Sequence, residues 1–235
     1  MKIAAVAFDL DGTLYSDIRL FIRLVPFFLK HHGLLLAMGK TRKQLRDINS
    51  DGNQQNHAFS GMDFYDAQAA LIAEILQKSQ AEVKEKIEKL IYRGWEKHFK
   101  KIRLFPYVKT CLEAFRQRGV KIGLLSDFPP EKKLENLGIM DYWDSIASSE
   151  ESGRLKPDPL PFLALAGKMK LPPEEILYVG NNYHYDVLGA RSAGMKTALI
   201  CSRWTRFSRE PMPDFIFHDY RQLQKYVLGC INGTF

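Results

Sequence analysis

Two aspartates stand close together near the start of the chain, at the end of an apolar segment. Residues 3–8 suit a buried strand, and Asp9 and Asp11 follow at once in the sequence FDLDGTLY. Residues two apart on an extended chain lie about 6.6 Å apart and share a face. Two neighbouring carboxylates repel, so they need a cation, a shared proton or good donors. Mg²⁺ meets that need, because it binds one or two carboxylates together with water and phosphate oxygens.

Polar residues also follow two later segments that are expected to form strands. Ser126 ends the apolar segment KIGLLS, Asn181 follows EILYVG, and Asp186 comes five residues after Asn181. In an open parallel sheet, ligands bind beyond the carboxyl ends of the strands. We therefore expect these side chains to gather around the two N-terminal aspartates in one crevice.

The order of the expected elements predicts the fold class. From residue 105 onward, short apolar strands alternate with helical segments, which is typical of an α/β protein with a parallel sheet and helices on both faces. Residues 16–101 interrupt this alternation just after the first strand, with segments of helical periodicity such as AQAALIAEILQKS. The sequence thus predicts a Rossmann-like, three-layer α/β domain formed by 1–15 and 102–235, and an inserted α-helical cap domain, 16–101.

Taken in order, these motifs resemble those of the haloacid dehalogenase superfamily, in its phosphatase branch with a helical cap after the first motif. The resemblance implies that Asp9 attacks phosphorus and becomes an aspartyl-phosphate. It implies that Asp11, two residues on in FDLDGTLY, protonates the leaving group and then activates water. Superfamily dehalogenases lack an aspartate at the second position, so the resemblance favours phosphate esters as substrates.

The remaining motifs complete the site that the resemblance implies. Ser126 in LLSD would hydrogen-bond a phosphoryl oxygen, and Lys156 in GRLKPDP would neutralise the nucleophile and the phosphate. The last motif, GNNYHYD, has Asn181 where the superfamily usually has aspartate, whereas Asp186 is kept. Loss of that charge predicts weaker Mg²⁺ binding than in typical members. The implied metal ligands are Asp9, Asp11, Asn181 and Asp186.

The function expected from these residues is that of a phosphoric monoester hydrolase. We expect Mg²⁺-dependent hydrolysis of a small phosphorylated metabolite, because attack by a carboxylate divides the reaction into two easier transfers. Two alternatives remain open. One is a phosphomutase of the same superfamily, which returns the phosphoryl group to a bound sugar. The other is a non-catalytic phosphate-binding module, suggested by Asn181.

Three of the site residues also have a purely structural interpretation, and the Asp9–Asp11 pair by itself could be a chance occurrence in a turn. Ser126 and Asp186 could cap helices, and Lys156 could be a solvated charge. Asp127 could cap the helix EKKLENL or satisfy the backbone of the crevice. For the basic segment KTRKQLR, residues 40–46, the alternatives are a solvated helix face and a surface that attracts an anionic substrate.

Charge and cysteine content limit the possible partners. The net charge is +7, with most of the excess in residues 16–101. No nucleic-acid-binding module is recognisable, so we expect a small phosphorylated substrate and no nucleic acid. The three cysteines are widely spaced, which argues against a disulfide framework and favours a reducing, cytoplasmic location.

The most apolar segment of the chain, residues 20–38, does not have the composition of a membrane span. It contains Arg23, Pro26 and Lys30 together with two histidines. A bilayer span needs about 20 nearly uninterrupted apolar residues. We therefore interpret the segment as a buried helix and expect no membrane partner.

Overall fold

The computed structural model describes residues 3–50, 62–94, 99, 102–205 and 207–232. In this part of the chain the strands form one parallel sheet in the order β3-β2-β1-β4-β5-β6. The sheet confirms the predicted α/β fold class. The strands are β1 (Ala5–Phe8), β2 (Lys121–Ser126), β3 (Ser145–Ser148), β4 (Ile176–Gly180), β5 (Lys196–Ile200) and β6 (Phe215–Phe217).

Helices occupy most of the chain between the strands. A π-helical segment, Glu88–Tyr92, continues α4, and another, Tyr183–Leu188, leads into α8. The helices are α1 (Asp17–Lys30), α2 (His32–Ser50), α3 (Phe64–Leu76), α4 (Gln80–Ile87), α5 (Val108–Gln117), α6 (Glu131–Leu137), α7 (Pro159–Met169), α8 (Gly189–Ser192) and α9 (Tyr220–Ile231).

The two faces of the sheet bury different layers of helices. Val6 and Phe8 of β1 belong to a core cluster with side chains from α5, α6 and α9. Ala5 and Ala7 belong to a second cluster with side chains from α7 and α8. Successive residues of a strand point to opposite faces, so every position of β1 is buried. This accounts for the uninterrupted apolar segment ahead of Asp9.

Helices α1 to α4 follow β1 in the chain, and α2, α3 and α4 share a core cluster separate from those of the sheet. One cluster joins α2, α3 and α4, and its buried members are Leu34, Ala37, Met38, Ile72, Ala73, Val83, Ile87 and Ile91. Leu20 and Leu24 of α1 pack instead in the core cluster of the sheet. The proposed limits of the cap domain, 16–101, stay a prediction. Within that range, residues 51–61, 95–98, 100 and 101 lie outside the described residues.

The interpretation of residues 20–38 as one buried helix is wrong. The segment contains α1 and the start of α2, and the two helices meet at a bend of 112°. Leu20 and Leu24 on one side of α1 contact the core cluster of the sheet, and the other side of α1 is exposed. Among the described helices, none is long and apolar enough by itself to cross a membrane, and α1 passes such a test only together with residues 32–47 across that bend.

The register of the sheet places three strand ends together. Phe8, the last residue of β1, is paired with Leu124 of β2 on one side and with Val179 of β4 on the other. The backbone N–H of Asp9 then donates to the carbonyl of Val179 at 2.9 Å. The chain therefore leaves β1, β2 and β4 at the same edge of the sheet.

Candidate active site

A buried lysine lies at the centre of the polar residues beyond this edge. Lys156 Nζ is 2.7 Å from Asp9 Oδ1 and 2.8 Å from Asp186 Oδ1. The exposed fractions are 3% for Lys156, 6% for Asp9 and 2% for Asp186. Lys156 is therefore not a solvated charge, and these three sequence-predicted residues meet in one ion-paired cluster.

Tyr178 is a fourth member of this cluster that the sequence did not single out. Lys156 Nζ donates to Tyr178 Oη at 3.3 Å, and that hydroxyl donates to the carbonyl of Leu125 at 3.2 Å. An ammonium group has three N–H donors, and here all three face oxygen atoms. The lysine is therefore held in one position.

The second carboxylate oxygen of Asp9 is held by its own motif. Thr13 Oγ1 donates to Asp9 Oδ2 at 2.8 Å and lies 3.3 Å from Asn181 Oδ1. Tyr220 Oη fixes the Thr13 backbone by donating to its carbonyl at 2.6 Å. Thr13 thus brings Asp9 and Asn181 side by side, a role that its position in DGT could have suggested.

Two glycines allow the motif loops to approach each other. Gly12 has φ of +82°, and a Cβ there would overlap the Asn181 side chain. A Cβ at Gly180 would overlap the carboxylate of Asp186. A larger residue at Gly12 would displace Asn181, and a larger residue at Gly180 would displace Asp186, so both positions require glycine.

Asp186 is oriented by the backbone as well as by Lys156. Its Oδ2 accepts a hydrogen bond from the Asn182 N–H at 2.9 Å. Asn182, in turn, caps the π-helical segment, since its Oδ1 accepts from the Tyr185 N–H at 3.0 Å. The alternative in which Asp186 is the N-cap of the next helix is therefore wrong, because Asn182 takes that position.

Burial and charge act in opposite directions on the central pair. Burial raises the pKa of Asp9 to about 7, and the neighbouring Asp186 and Asp11 add to the rise, while Lys156 opposes it. For Lys156, burial lowers the pKa, but Asp186 and Asp9 more than offset this and hold it well above its usual value. The lysine therefore stays charged between two carboxylates.

Asp11 is bonded to different partners from Asp9. Lys133 Nζ, in the first turn of α6, lies 2.6 Å from Asp11 Oδ2 and 2.9 Å from Oδ1, and the Tyr15 hydroxyl donates to Asp11 Oδ1. The Lys133 side chain is largely buried, near the rings of Phe99 and Phe128. Each N-terminal aspartate thus has its own lysine, and spacing alone gives no signal for Lys133.

The oxygen donors at this edge suit Mg²⁺ in chemical type. Asp9 and Asp186 supply carboxylates, and Asn181 supplies an amide oxygen. In the described ranges, no group of three or more acidic, histidine or cysteine side chains has the arrangement of a ready metal cluster. Asp9 and Asp186 flank an ammonium group, and Asp11 is paired with Lys133. The roles of all four implied ligands stay predictions.

Ser126 lies at the end of β2, where the sequence analysis expected it. It is fully buried, and its Oγ accepts from the Phe128 N–H at 3.3 Å. The following helix, α6, has Pro130 at its N-cap position and no side-chain capping bond. Neither Ser126 nor Asp127 therefore caps that helix, and the phosphate-binding role of Ser126 stays a prediction.

Two arginines of the KTRKQLR segment reach the site from α2. Arg46 Nη2 is 2.6 Å from Asp127 Oδ2, and its Nε donates to the Lys156 carbonyl at 2.9 Å. Arg42 Nη2 lies 3.8 Å from the same Asp127 oxygen. The solvated-face interpretation is wrong for these two residues, because carboxylate and carbonyl oxygens of the sheet domain take the place of water. Lys40 and Lys43 of the same segment are exposed.

Arg42 also forms a buried ion pair with Glu150, in the loop after β3. Its guanidinium pairs with Glu150 Oε1 and lies 4.0 Å from the centre of the Phe128 ring. Tyr92 donates to Glu150 Oε2 at 3.0 Å. Burial raises the pKa of Asp127, but the positive charges of Lys156, Arg42 and Arg46 together have a larger effect in the opposite direction. The pKa of Asp127 is therefore lower than its usual value. These ion pairs hold α2 over the loops that carry the site.

Comparisons with known proteins show the family to which the chain belongs. A model of the haloacid dehalogenase-like hydrolases matches residues 3–194. The chain is 26% identical to the pyrophosphatase PpaX of Bacillus mycoides, over 99% of this chain and all of that protein. It is 29% identical to the phosphoglycolate phosphatase of Yersinia pseudotuberculosis, over 82% of this chain and 78% of that one.

A solved structure gives the same fold. The 2-haloacid dehalogenase of Pseudomonas syringae pv. Tomato DC3000 superposes with a TM-score of 0.68 at 21% identity, over 97% of this chain and 98% of that one. At this identity the likeness shows the fold alone. The family model, by contrast, covers the first strand, Lys156 and Asp186 together. The chain therefore belongs to the haloacid dehalogenase-like hydrolase family, which confirms the resemblance drawn from its motifs.

Proposed function

We propose that this protein is a Mg²⁺-dependent phosphatase that hydrolyses a small phosphorylated metabolite through an aspartyl-phosphate on Asp9. The observation that carries the proposal is the buried contact of Lys156 with Asp9 and Asp186, with Asp11 close by on a separate lysine. The relatives named as a pyrophosphatase and a phosphoglycolate phosphatase support the reaction type.

Asp9 acts as the nucleophile. Thr13 holds Oδ2 and Lys156 holds Oδ1, so the carboxylate cannot rotate away from the approaching phosphorus. Lys156 carries positive charge next to the oxygens on which negative charge gathers, and charge stabilisation of this kind is the larger part of phosphoryl-transfer catalysis. Ser126 donates its hydroxyl hydrogen to a phosphoryl oxygen.

Asp11 moves the protons. Asp11 is protonated when the substrate binds, and it gives this proton to the leaving oxygen as the phosphoryl group passes to Asp9. It is protonated again by the water that attacks the aspartyl-phosphate, which closes the cycle. Water then bonds to phosphorus, the bond to Asp9 breaks, and free phosphate leaves. Lys133 and Tyr15 orient the Asp11 carboxyl group through both of its oxygens.

Asp9, Asn181 and Asp186 would hold the Mg²⁺, and the implied fourth ligand is Asp11. The ion supplies positive charge that neutralises the phosphoryl oxygens. A cavity of about 790 Å³ borders Asn181, and its lining also includes Tyr183, Arg209 and His218 but not Asp9, Asp11 or Lys156.

A phosphate-release screen tests the proposal. Purified protein is given sugar phosphates, phosphorylated acids related to phosphoglycolate, and nucleotides, each with and without Mg²⁺, and free phosphate is measured. Release from at least one compound supports the phosphatase. An isomeric sugar phosphate with little free phosphate would indicate the phosphomutase instead. Binding without turnover across the whole panel would indicate the non-catalytic module.

Removal of the metal gives a first prediction. We expect a chelator to abolish phosphate release and added Mg²⁺ to restore it. The variant Asn181→Asp should reach half-maximal rate at a several-fold lower Mg²⁺ concentration, because it adds a negative charge to the ligand set.

A matched control is Asn182→Asp, which adds the same charge one residue away. It keeps an oxygen that can accept from the Tyr185 N–H, so the turn is preserved. We expect a smaller change in Mg²⁺ dependence than for Asn181→Asp. Full activity in the presence of a chelator would contradict the metal assignment.

The contact between Lys133 and Asp11 gives a second prediction, which concerns the leaving group. Replacement Lys133→Met should lower kcat/KM for alkyl phosphates by about tenfold or more, since general acid catalysis contributes at least this much. It should lower kcat/KM for p-nitrophenyl phosphate far less, because that leaving group departs without a proton. The ratio of the two kcat/KM values is the measurement.

The neighbouring Lys132→Met is the matched control, since Lys132 is exposed and paired with Glu135. We expect its ratio to equal that of the parent. An equal loss on both substrates in Lys133→Met would mean that Lys133 supports the fold rather than the position of Asp11.

A further inference from the structure

Helix α1 presents an apolar face to solvent. The residues on it recur at intervals of three or four, so they lie along one side of the helix. No described part of the chain covers them. They are Ile18 (66% exposed), Phe21 (53%), Ile22 (66%), Val25 (47%) and Leu29 (73%). Contiguous exposed apolar residues mark interaction surfaces in folded proteins, whereas scattered ones need no explanation.

The opposite side of α1 is fixed to the protein. Leu20 and Leu24 are 6% and 0% exposed and pack in the core cluster of the sheet. The exposed face of α1 could pack against the protein's own sheet only if these two leucines left the core. A partner can contact this face without unfolding α1.

The charged residues of α1 indicate the chemistry of that partner. Arg19, Arg23 and Lys30 are all exposed, and the one acid of the helix, Asp17, lies in its first turn. The surrounding segment 16–101 carries most of the net charge of +7. At 100° per residue the three cations form one basic stripe beside the apolar face. An apolar face next to basic residues is typical of helices that lie in the interface of anionic membranes.

A second copy of this chain fits the face less well. Pairing α1 with itself would bring two sets of these three cations to one small interface, and like charges there are unfavourable. An anionic lipid surface provides both acyl chains for the apolar residues and phosphate groups for the cations. Charge therefore favours lipid over self-association.

We propose that α1 docks in the plane of an anionic phospholipid surface. Its exposed apolar side chains enter the boundary between headgroups and acyl chains, to a depth of about 5–10 Å. Arg19, Arg23 and Lys30 contact the headgroup phosphates. Helix α2 leaves α1 at a bend of 112°, and its Arg42 and Arg46 pair with Glu150 and Asp127. Because α2 is held against the protein in this way, α1 lies on the lipid surface and does not span it. This departs from the expectation of no membrane partner.

Vesicle flotation of the whole protein tests this proposal. The vesicles contain phosphatidylcholine alone or phosphatidylcholine with phosphatidylserine. We expect the protein to float with the anionic vesicles and to bind less in high salt, because salt screens the attraction. Ile22→Ser should weaken binding sharply, whereas Leu163→Ser, which removes an exposed leucine of α7, should not.

The charge contribution is tested separately. The double variant Arg19→Gln/Arg23→Gln should bind anionic vesicles roughly 25-fold more weakly, at about fivefold for each basic residue near the surface. Because all these side chains are exposed, the variants should fold normally, which thermal unfolding checks. Their phosphate release from a soluble substrate should equal that of the parent, so this test is independent of the proposed function.

Three outcomes would overturn the proposal. The first is failure to float with anionic vesicles. The second is equal affinity for neutral and anionic vesicles, which would exclude the role given to the cations. The third is a concentration-dependent dimer in analytical ultracentrifugation that Ile22→Ser abolishes, with no vesicle binding, since a second copy would then be the occupant.

Discussion

The variant Asp9→Asn is expected to release phosphate more slowly than the parent by about 10⁴-fold or more, the scale of losing a nucleophile that works with partner residues. The amide oxygen can accept the hydrogen bond of Lys156, and the amide NH₂ can donate to Thr13 Oγ1, but the amide attacks phosphorus poorly. The variant should nevertheless fold. It leaves Lys156 paired one to one with Asp186, and burial already disfavours the charged form of Asp9, as its raised pKa indicates.

The loss of activity and the retained stability of Asp9→Asn are measured separately. Phosphate release gives the rate, and thermal unfolding gives the stability, which we expect to match or exceed that of the parent. Acid-quenched parent enzyme should carry one phosphoryl group by mass spectrometry, and Asp9→Asn none. Asp141→Asn, an exposed acid on a short helix, is the control and should behave as the parent. Turnover by Asp9→Asn at the parental rate would refute the nucleophile assignment.

The parts of the site that the sequence could predict are those that follow strands. Asp9, Ser126 and Asn181 come directly after or at the end of β1, β2 and β4, and parallel strands end at one edge. The strand β2 has the same limits in the structure as in the prediction, because its apolar residues are buried on both faces. For such residues, the order of strands and polar residues along the chain is sufficient to predict that they lie in one site.

The partners of these residues could not be predicted in the same way. Tyr178 lies within β4, where an aromatic residue has the appearance of ordinary core, and its hydroxyl contacts Lys156, which is 22 residues away in the chain. Lys133 lies 122 residues from Asp11, on a helix whose approach depends on packing. Spacing contains no information about either contact.

The wrong predictions for residues 40–46 and 20–38 both concern helices, and they also arose because contacts between distant parts of the chain are not visible in the sequence. A basic run on a helix has the same sequence pattern whether water or a protein carboxylate faces it. The partners of Arg42 and Arg46, Glu150 and Asp127, are 108 and 81 residues away. In α1, apolar residues occur on both sides of the helix, so periodicity did not reveal that only Leu20 and Leu24 are buried.

Replacement of Lys156 should affect both activity and stability. In Lys156→Met, two buried carboxylates, Asp9 and Asp186, face each other without the ammonium group between them. Removal of one partner from a buried ion pair costs about 3–5 kcal/mol. Phosphate release should fall by about 10²–10³-fold, the effect of losing one preorganised electrostatic group. Urea unfolding and phosphate release are the two measurements. Lys168→Met, at an exposed lysine paired with Glu151, should change stability by less than about 1 kcal/mol.

A double variant separates the two effects. Lys156→Met/Asp186→Asn removes one of the two carboxylates that repel, so the free energy of unfolding should return part of the way to the parental value. Phosphate release should stay as low as in Lys156→Met or fall further, because no cation faces the phosphoryl oxygens. If the double variant were no more stable than Lys156→Met, repulsion between Asp9 and Asp186 would not be the cause of the loss. If the double variant recovered both activity and stability, Lys156 would only stabilise the fold. The electrostatic role given to it in phosphoryl transfer would then be wrong.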